Sequence, residues 1–301
     1  MTKELLLDQP LAAALGAARA AAALLERAWL EREPLQVDRK GCHDYVTQVD
    51  RRSEALLVEQ LRTACPEIGL LGEEGSHLDL DAESFWVVDP LDGTSNFVHG
   101  YPAFAVSIGL LRRVAPVDPV RAATVRFPQV LGCESVLGVI ADVCRRQLYF
   151  AHRGGGAWRC DLPGGLDEPL PAAERLRVGL APRLDEAFVA TGFPIRNKDL
   201  ARLYLNLFDA LMPPSAGIRR GGSAALDLAY TAAGIFDAFV ELQLAPWDMA
   251  AGVCLVEEAG GRLAGLAAAG VPEPEPLVNG HVLAGNPALV EDLQARLAGR
   301  L

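Results

Sequence analysis

The sequence predicts a protein of the α/β class, with an α+β first part and an α/β second part. Hydrophobic residues make up 50% of its 301 residues, which is enough for a substantial buried core. In residues 1–180 two helical patterns precede a run of apolar strands, whereas strands and helices alternate in residues 181–301. We therefore expect two domains that divide near residue 180.

The first part begins with an amphipathic helix. Apolar residues from Leu11 to Trp29 recur at helical spacing, and charged residues interrupt the segment, so it does not predict a membrane span. The acidic residues Glu4 and Asp8 argue against a signal peptide. A second helix is expected from near Asp50 to just before Pro66, and strands are expected within residues 67–75, 84–88, 103–111 and 136–158. The last of these segments predicts two strands joined by a polar turn, followed by a glycine-rich exit.

The second part shows the residues that commonly begin and end helices. Gly234 and the pair Gly260 and Gly261 follow helical patterns, and Asn286 with Pro287 begins the final one. Strands are expected within residues 186–194, 236–244, 262–266 and 281–285, and helices within residues 199–212, 221–234, 247–261 and 286–299.

The charge of the chain restricts its partners. The formal net charge is −11 and no run of Lys or Arg offsets it, so we expect no direct binding to nucleic acid or to anionic membranes. An acidic protein that binds an anion needs a metal ion or backbone amides at the binding site to offset the electrostatic repulsion. The six cysteines are scattered, without the spacing of zinc ligands, which favours reduced thiols and a cytoplasmic location.

Residues 86–97 contain two aspartates, Asp89 and Asp92, directly after an apolar run. A turn with a helix cap would explain them, but a cap contributes only about 1 kcal/mol. Two carboxylates about 4 Å apart repel by roughly 4 kcal/mol at an effective dielectric constant of 20. A divalent cation such as Mg²⁺ would offset this repulsion, because it prefers oxygen ligands. If the turn separates the two side chains, no cation is needed.

Further carboxylates lie at the ends of other apolar elements. Glu73 and Glu74 precede a glycine turn, and Asp50 and Asp248 stand at the starts of helices. Each alone is more often a solvated residue or a helix cap, but together they are what a site on a rigid scaffold requires. Gly93 begins a short segment whose free helical amides would bind an anion. The pattern therefore indicates a phosphate site with a metal.

Several segments resemble the inositol monophosphatase family of Mg²⁺-dependent phosphatases. Its signature blocks resemble residues 72–75, 86–97 and 246–252, and its bacterial inositol-1-monophosphatase branch resembles residues 40–50, 190–194 and 219–234. The resemblance covers most of the chain. It implies a layered α-β-α-β-α sugar-phosphatase fold, a homodimer, two or three Mg²⁺ ions per active site, and inhibition by lithium.

The resemblance also implies roles for individual residues. The implied metal ligands are Glu73, Asp89, the backbone carbonyl of Leu91, Asp92 and Asp248, with Asp89 shared by two ions. The implied catalytic residues are Asp50, Thr94 and Glu73, of which Thr94 and Asp50 would orient or deprotonate the attacking water. The implied substrate contacts are Gly93, Thr94, Ser95, Ser223, Ala224 and Glu241. Lys40 would lie near the metals and Glu74 beside the site or on the surface.

Simpler interpretations of these residues stay open. Asp50 is also suited to capping its helix, Glu241 to ending a strand at the surface, and Lys40 to a solvated loop. Residues 114–135 depart from the family pattern, in which a tighter turn makes this connection. This insertion is either a surface loop or a cover over the active site. Residues 157–176 also depart from the short polar connection of the family.

The predicted function is hydrolysis of inositol 1-phosphate by a two-metal phosphomonoesterase. Within the superfamily, fructose 1,6-bisphosphate and histidinol phosphate are alternative substrates. 3′-Phosphoadenosine 5′-phosphate ranks lower, because its enzymes commonly have Lys where Ser95 stands here. Two alternatives from other classes are a regulatory protein that binds a partner, for instance in the transcription machinery, and a sugar-binding module.

Overall fold

The computed structural model describes residues 7–31, 37–41, 44–193, 197–266 and 275–301, with the backbone alone for residues 37–41 and 44–46. Lys40 lies on a strand in this backbone segment, and its predicted place near the metals falls outside the described side chains. Within the described residues, none of the helices combines the length and the apolar composition that crossing a membrane requires.

The six predicted helices are present in the described chain, together with the short helix considered after Gly93 and two helices of four residues that were not predicted. The helices are α1 (Asp8–Glu31), α2 (Gln48–Ala64), α3 (Thr94–His99), α4 (Pro119–Ala122), α5 (Ala201–Leu211), α6 (Ala224–Ala232), α7 (Pro246–Glu258), α8 (Pro276–Asn279) and α9 (Pro287–Leu297). At the start of α9 the side chain of Asn286 accepts a hydrogen bond of 3.0 Å from the amide of Ala288, as expected for an N-cap.

Every predicted strand is present in the described chain, which adds five short strands that were not predicted, and two of the predictions need correction. The strands are β1 (Val37–Gly41), β2 (Asp44–Thr47), β3 (Gly69–Gly72), β4 (His77–Leu78), β5 (Ser84–Asp92), β6 (Ala105–Arg113), β7 (Cys133–Asp142), β8 (Gln147–His152), β9 (Gly156–Asp161), β10 (Glu174–Arg175), β11 (Phe188–Thr191), β12 (Gly217–Arg219), β13 (Ala238–Glu241), β14 (Arg262–Gly265) and β15 (Val282–Gly285). First, β5 continues beyond the predicted residues 84–88 through both aspartates, with a register shift between Asp89 and Asp92.

The second correction concerns the predicted glycine-rich exit after β8. Gly154 and Gly156 take φ angles of 79° and 78°, which glycine adopts without strain, and they turn the chain back into β9. Strand β9 then pairs antiparallel with β8 from His152↔Gly156 to Gln147↔Asp161. The glycines therefore form a hairpin turn and not an exit from the sheet.

The described strands form two large sheets and a small β1–β2 hairpin. The first sheet has the order β10-β9-β8-β7-β6-β5-β3-β4 and is antiparallel apart from the β3–β5 pair. The second has the order β12-β11-β13-β15-β14, in which β11 runs parallel to β12 and β13, and β15 antiparallel to its neighbours. The division into domains near residue 180 stays a prediction.

The apolar cores separate five layers. One core joins α1 and α2 to the first sheet through residues such as Leu25, Leu57 and Trp86. On the other face of that sheet, a second core encloses α6 and α7 and includes Phe239 of the second sheet. A third core joins the opposite face of the second sheet, where Val240 lies, to α5 and α9. The order of layers is therefore α-β-α-β-α, as the resemblance implies.

Helix α7 lies unusually near the backbone of the first sheet. Gly109 of β6 and Gly138 of β7 pair with each other beneath this helix. A Cβ atom on Gly138 would be 2.2 Å from the carbonyl oxygen of Ala251, and one on Gly109 would be 2.6 Å from the Cβ of Ala250. The absence of side chains here lets α7 pack onto the sheet, which places its first turn, with Asp248, beside the end of β5.

Candidate active site

Three carboxylates from two elements meet at the carboxyl end of β5. Asp89 and Asp92 belong to the end of this strand, and Asp248 to the first turn of α7. Each offers an oxygen atom, and these three atoms lie within 4.8 Å of one another. Asp89 is 1% exposed, Asp92 8% and Asp248 9%. The turn therefore does not separate the two aspartates of β5, and the interpretation that needed no cation is not supported.

Backbone amides fix the three carboxylates. The amide of Leu91 donates to Asp89 at 2.9 Å, and the amide of Ala245 donates to Asp248 at 2.7 Å. Asp92 accepts hydrogen bonds through one oxygen from the Ser223 hydroxyl, at 2.6 Å, and from the amide of Ala225, at 2.7 Å. The start of α6 therefore orients Asp92, and the predicted sugar-pocket residue Ser223 also supports a predicted metal ligand.

The electrostatics of this cluster fit a bound cation. The pKa of Asp89 lies well above its ordinary value, first because of burial and then because of the charges of Glu73, Asp92 and Asp248. A hydrogen bond with Glu73 raises this pKa further and shows that Glu73 lies against Asp89. Buried like charges are unfavourable unless a counter-charge joins them. Carboxylate oxygens at this density are the ligands that Mg²⁺ prefers.

The loop that carries Glu73 is held by a buried glutamate that the sequence did not single out. Glu54 of α2 is 4% exposed and accepts hydrogen bonds from the amide of Glu74, at 2.7 Å, and from the amide of Ser76, at 3.0 Å. Gly72 leaves room for this carboxylate, because a Cβ atom there would be 2.5 Å from it. Glu74 thus contributes its backbone amide to the anchoring of the loop.

Asp50 and Thr94 form the predicted pair. The Thr94 hydroxyl lies 3.0 Å from Asp50 Oδ1 and 3.1 Å from the carbonyl oxygen of Leu91, and it can donate its single proton to one of them at a time. The other oxygen of Asp50 accepts from the amide of Thr47 at 2.9 Å and caps α2. Burial raises the pKa of Asp50, and hydrogen bonds from Thr47 and Thr94 oppose this effect. Asp50 therefore takes part in the capping box of α2, whose N-cap is Thr47, and also contacts Thr94.

A cavity of about 360 Å³ opens beside the carboxylates. Of the predicted site residues, those that line it are Asp92, Gly93, Thr94, Ser95, Ser223, Ala224, Glu241 and Asp248. Gly93 precedes α3 with a φ angle of 93°, and a Cβ atom there would be 2.9 Å from the Ala103 carbonyl oxygen. Glu241 faces Gly192, where a Cβ atom would be 1.8 Å from its carboxylate. Glu241 therefore ends its strand at the cavity.

The structure adds lining residues that the sequence did not identify. They are Arg126, Gly192, Phe193, Asn197, Leu200, Arg220, Gly222, Leu242, Gln243, Leu244 and Ala245. Arg126 belongs to the inserted residues 114–135, and the available signal was the unusual length of that segment. Val130 and Leu131 of the same insertion are buried against β5 and α7. The insertion therefore borders the cavity and is not only a surface loop.

Another buried carboxyl lies close to the cavity without lining it. Asp227 of α6 is 3% exposed, and its pKa lies well above its ordinary value. Burial is the main cause, followed by the charges of Glu241 and Asp92, while Arg220 acts in the opposite direction. Asp227 is therefore a suitable control position for substitutions in the cluster, because it is a buried carboxyl nearby that does not belong to the cluster.

Comparison with known proteins identifies the class that this fold and site define. The sequence model of the "Inositol monophosphatase family" matches residues 6–120 and 130–300. The protein thus has the fold and the carboxylate cluster of a class of metal-dependent phosphatases. It belongs to the inositol monophosphatase family.

Individual relatives carry two kinds of name. The chain is 41% identical over 283 residues to "Nus factor SuhB" of Pseudomonas aeruginosa, covering 91% of this chain and 90% of the relative. It is 40% identical over 271 residues to "Inositol-1-monophosphatase" of Rhizobium meliloti, covering 90% and 89%. The solved structure of extragenic suppressor protein suhB from Bartonella henselae matches with a TM-score of 0.79 at 35% identity, covering 96% of this chain and 98% of that one.

Proposed function

We propose that the protein is a Mg²⁺-dependent phosphomonoesterase that hydrolyses inositol 1-phosphate to inositol and phosphate by a two-metal mechanism. The observation that carries the proposal is the meeting of Asp89, Asp92 and Asp248, whose carboxylate oxygens lie within 4.8 Å of one another beside a cavity. The name of the Rhizobium relative supports the substrate. We also propose that the protein acts as a cytoplasmic, lithium-sensitive homodimer.

The carboxylates and one carbonyl would hold the ions. Asp89, Asp92 and Asp248 would hold one of them, and Glu73, Asp89 and the carbonyl of Leu91 another, with Glu73 contributing to a third and weaker site. When bound, magnesium would lower the pKa of a coordinated water and stabilise negative charge on the leaving oxygen. The burial of the cluster strengthens these effects, because few water molecules screen it.

Thr94 and Asp50 would guide the attacking water. The Thr94 hydroxyl donates to Asp50 Oδ1 at 3.0 Å, which directs its oxygen lone pairs to accept a hydrogen bond from water. As the water attacks, its proton would pass to Thr94 Oγ1 while the Thr94 proton passes to Asp50 Oδ1. The hydrogen bonds of Asp50 with Thr47 hold it in place for this exchange.

The remaining lining residues would bind the substrate. Gly93, Thr94 and Ser95 present the start of α3, where backbone N–H groups lack helical acceptors and attract a phosphate. Glu241 would accept hydrogen bonds from substrate hydroxyl groups, and Ser223 and Ala224 would border the sugar ring. The cavity volume of about 360 Å³ lies in the range of small-molecule sites.

The proposal is tested by measuring phosphate release from a panel of substrates. The panel contains inositol 1-phosphate, fructose 1,6-bisphosphate, histidinol phosphate and 3′-phosphoadenosine 5′-phosphate, each with millimolar Mg²⁺. We expect turnover of inositol 1-phosphate, its loss after treatment with EDTA, and its recovery when Mg²⁺ is restored. Equal turnover with and without the metal, or no turnover of any compound, would contradict the proposal.

The name of the Pseudomonas relative favours a second candidate, a regulatory protein that binds a partner in the transcription machinery. The two functions make different demands on the carboxylate cluster. A purely regulatory protein would lack turnover on every member of the panel, and its partner binding would be unaffected by loss of the carboxylates. Metal-dependent turnover would show that the chain is an enzyme, whatever else it binds.

A further inference from the structure

One side of the cavity is lined by a segment that the family model does not match. The family match excludes residues 121–129, which belong to the inserted segment. Arg126 lies within this excluded stretch and lines the cavity together with Asp92, Glu241 and Asp248. This chain therefore places a cation in the proposed substrate cavity through a segment that the family as a whole does not specify.

A contact with the Phe127 ring and two hydrogen bonds hold the exposed side chain of Arg126 in this position. Its guanidinium carbon lies 4.6 Å from the centre of the Phe127 ring, and the Phe127 ring packs edge-on against Trp247 at 5.9 Å. Nη1 of Arg126 donates to the carbonyl oxygens of Gln243, at 2.7 Å, and Leu244, at 3.2 Å. A side chain fixed in this way loses little further conformational entropy when it binds a ligand.

The charges around the cavity favour an anion at this side. Among the described lining residues, the cations are Arg126 and Arg220, and the anions are Asp92, Glu241 and Asp248. In the proposed function, metal ions offset Asp92 and Asp248, so the two arginines face one remaining carboxylate. The planar guanidinium group binds phosphate and carboxylate better than neutral hydroxyl groups.

We propose that Arg126 forms a second anion subsite, distinct from the site of the phosphate that is released. The proposal rests on the proposed function and deepens it, because it defines the preferred substrates as phosphomonoesters with a second phosphate or carboxylate group. Inositol 1-phosphate, which lacks such a group, is then hydrolysed less efficiently than an ester with two anionic groups.

A purely supporting role for Arg126 makes a different prediction. Gln243, one of its carbonyl partners, has a φ angle of 61°, and the nearby amide of Ala245 donates to Asp248. If Arg126 only fastens this turn, its loss would displace Asp248 and lower kcat for every substrate. If it binds a second anionic group, its loss raises KM for substrates that carry such a group and leaves the KM of substrates with one phosphate alone nearly unchanged.

The test compares two matched pairs of substrates with the wild type and Arg126→Ala, both with Mg²⁺. Fructose 1,6-bisphosphate is paired with fructose 1-phosphate, which lacks the second phosphate. 2-Phosphoglycerate is paired with glycerol 2-phosphate, which lacks the carboxylate. For the wild type we expect kcat/KM to be at least about tenfold higher for the member of one pair that carries two anionic groups. A charge-assisted hydrogen bond gives an effect of this size. The pair that shows the preference identifies the anion.

In Arg126→Ala this ratio of kcat/KM should fall to near unity, because KM rises for the member of the pair that carries the second anionic group. The control is Arg121→Ala, which removes a charge from the same segment at an ion pair with Glu275 outside the cavity lining, and it should keep the preference. Absence of any preference in the wild type, or an equal fall in kcat for all four compounds in Arg126→Ala, overturns the subsite while the proposed function stands. Hydrolysis of inositol 1-phosphate but of none of the four compounds overturns the subsite alone. If the wild type hydrolyses neither inositol 1-phosphate nor any of the four compounds, the proposed function fails, and calorimetric binding of fructose 1,6-bisphosphate that is equal in both proteins overturns the subsite too.

Discussion

Replacement of Asp92 by asparagine is expected to reduce phosphate release at saturating Mg²⁺ by at least about a hundredfold, since a metal ion contributes several kcal/mol to such a transition state. Asparagine has the same shape, and its carbonyl oxygen can still accept the hydrogen bonds from Ser223 and Ala225. The substitution removes the negative charge and turns an amide group towards the cluster with Asp89 and Asp248. Kinetics with circular dichroism and thermal unfolding would measure activity and fold together.

The matched control is Asp227→Asn, which makes the same substitution at another buried carboxyl nearby. Asp227 is 3% exposed, and burial and the charges of Glu241 and Asp92 raise its pKa, but it lies outside the cavity lining. We expect this variant to keep turnover within a few-fold of the wild type. If Asp92→Asn is equally active, or if both variants lose activity to the same degree, the special role of Asp92 is wrong.

The second large effect is expected at Glu54, which acts as a positioning residue and does not itself touch the metals or the substrate. In Glu54→Gln, one of the two oxygens that receive the backbone N–H groups of Glu74 and Ser76 becomes an amide that cannot accept them. Each buried donor left without an acceptor costs about 1–3 kcal/mol. The loop with Glu73 should loosen, so that half-maximal activity requires at least about tenfold more Mg²⁺, a change of about 1.4 kcal/mol.

Activity measured against Mg²⁺ concentration separates this effect from simple unfolding. A positioning role predicts that high Mg²⁺ restores a large part of kcat, whereas unfolded protein would not respond in this way. Glu59→Gln, on an exposed position of the same helix, should leave the Mg²⁺ requirement unchanged. An unchanged Mg²⁺ requirement in Glu54→Gln would show that Glu54 has no influence on the Glu73 loop.

Local sequence signals were sufficient for much of the fold. The capping residues of α9 and the periodicity of α1 depend on neighbours within a few residues, and the structure confirms both. The repulsion between Asp89 and Asp92 suggested a bound cation, whereas the convergence of Asp248 with them came from the resemblance. The five-layer order came from the resemblance, since periodicity alone does not state which sheet a helix covers.

Other features depend on contacts between distant parts of the chain. Glu54 and Asp227 are residues of types that are usually solvated, and their burial follows from the loops and helices packed against them. Arg126 reaches the cavity because Phe127 packs on Trp247, 120 positions along the chain, which no local pattern indicates. The turn into β9 was missed because a run of glycines is compatible with a hairpin as well as with a loop.

The central claim is that carboxylates from separate elements hold divalent ions at the end of β5. The most direct measurement is a crystal structure of the protein with Mn²⁺, in which anomalous scattering locates each ion. We expect one ion bound by Asp89, Asp92 and Asp248, and another bound by Glu73, Asp89 and the carbonyl oxygen of Leu91. The account would be contradicted if Mn²⁺, at a concentration that supports turnover, bound only elsewhere on the protein and none of these carboxylates held an ion.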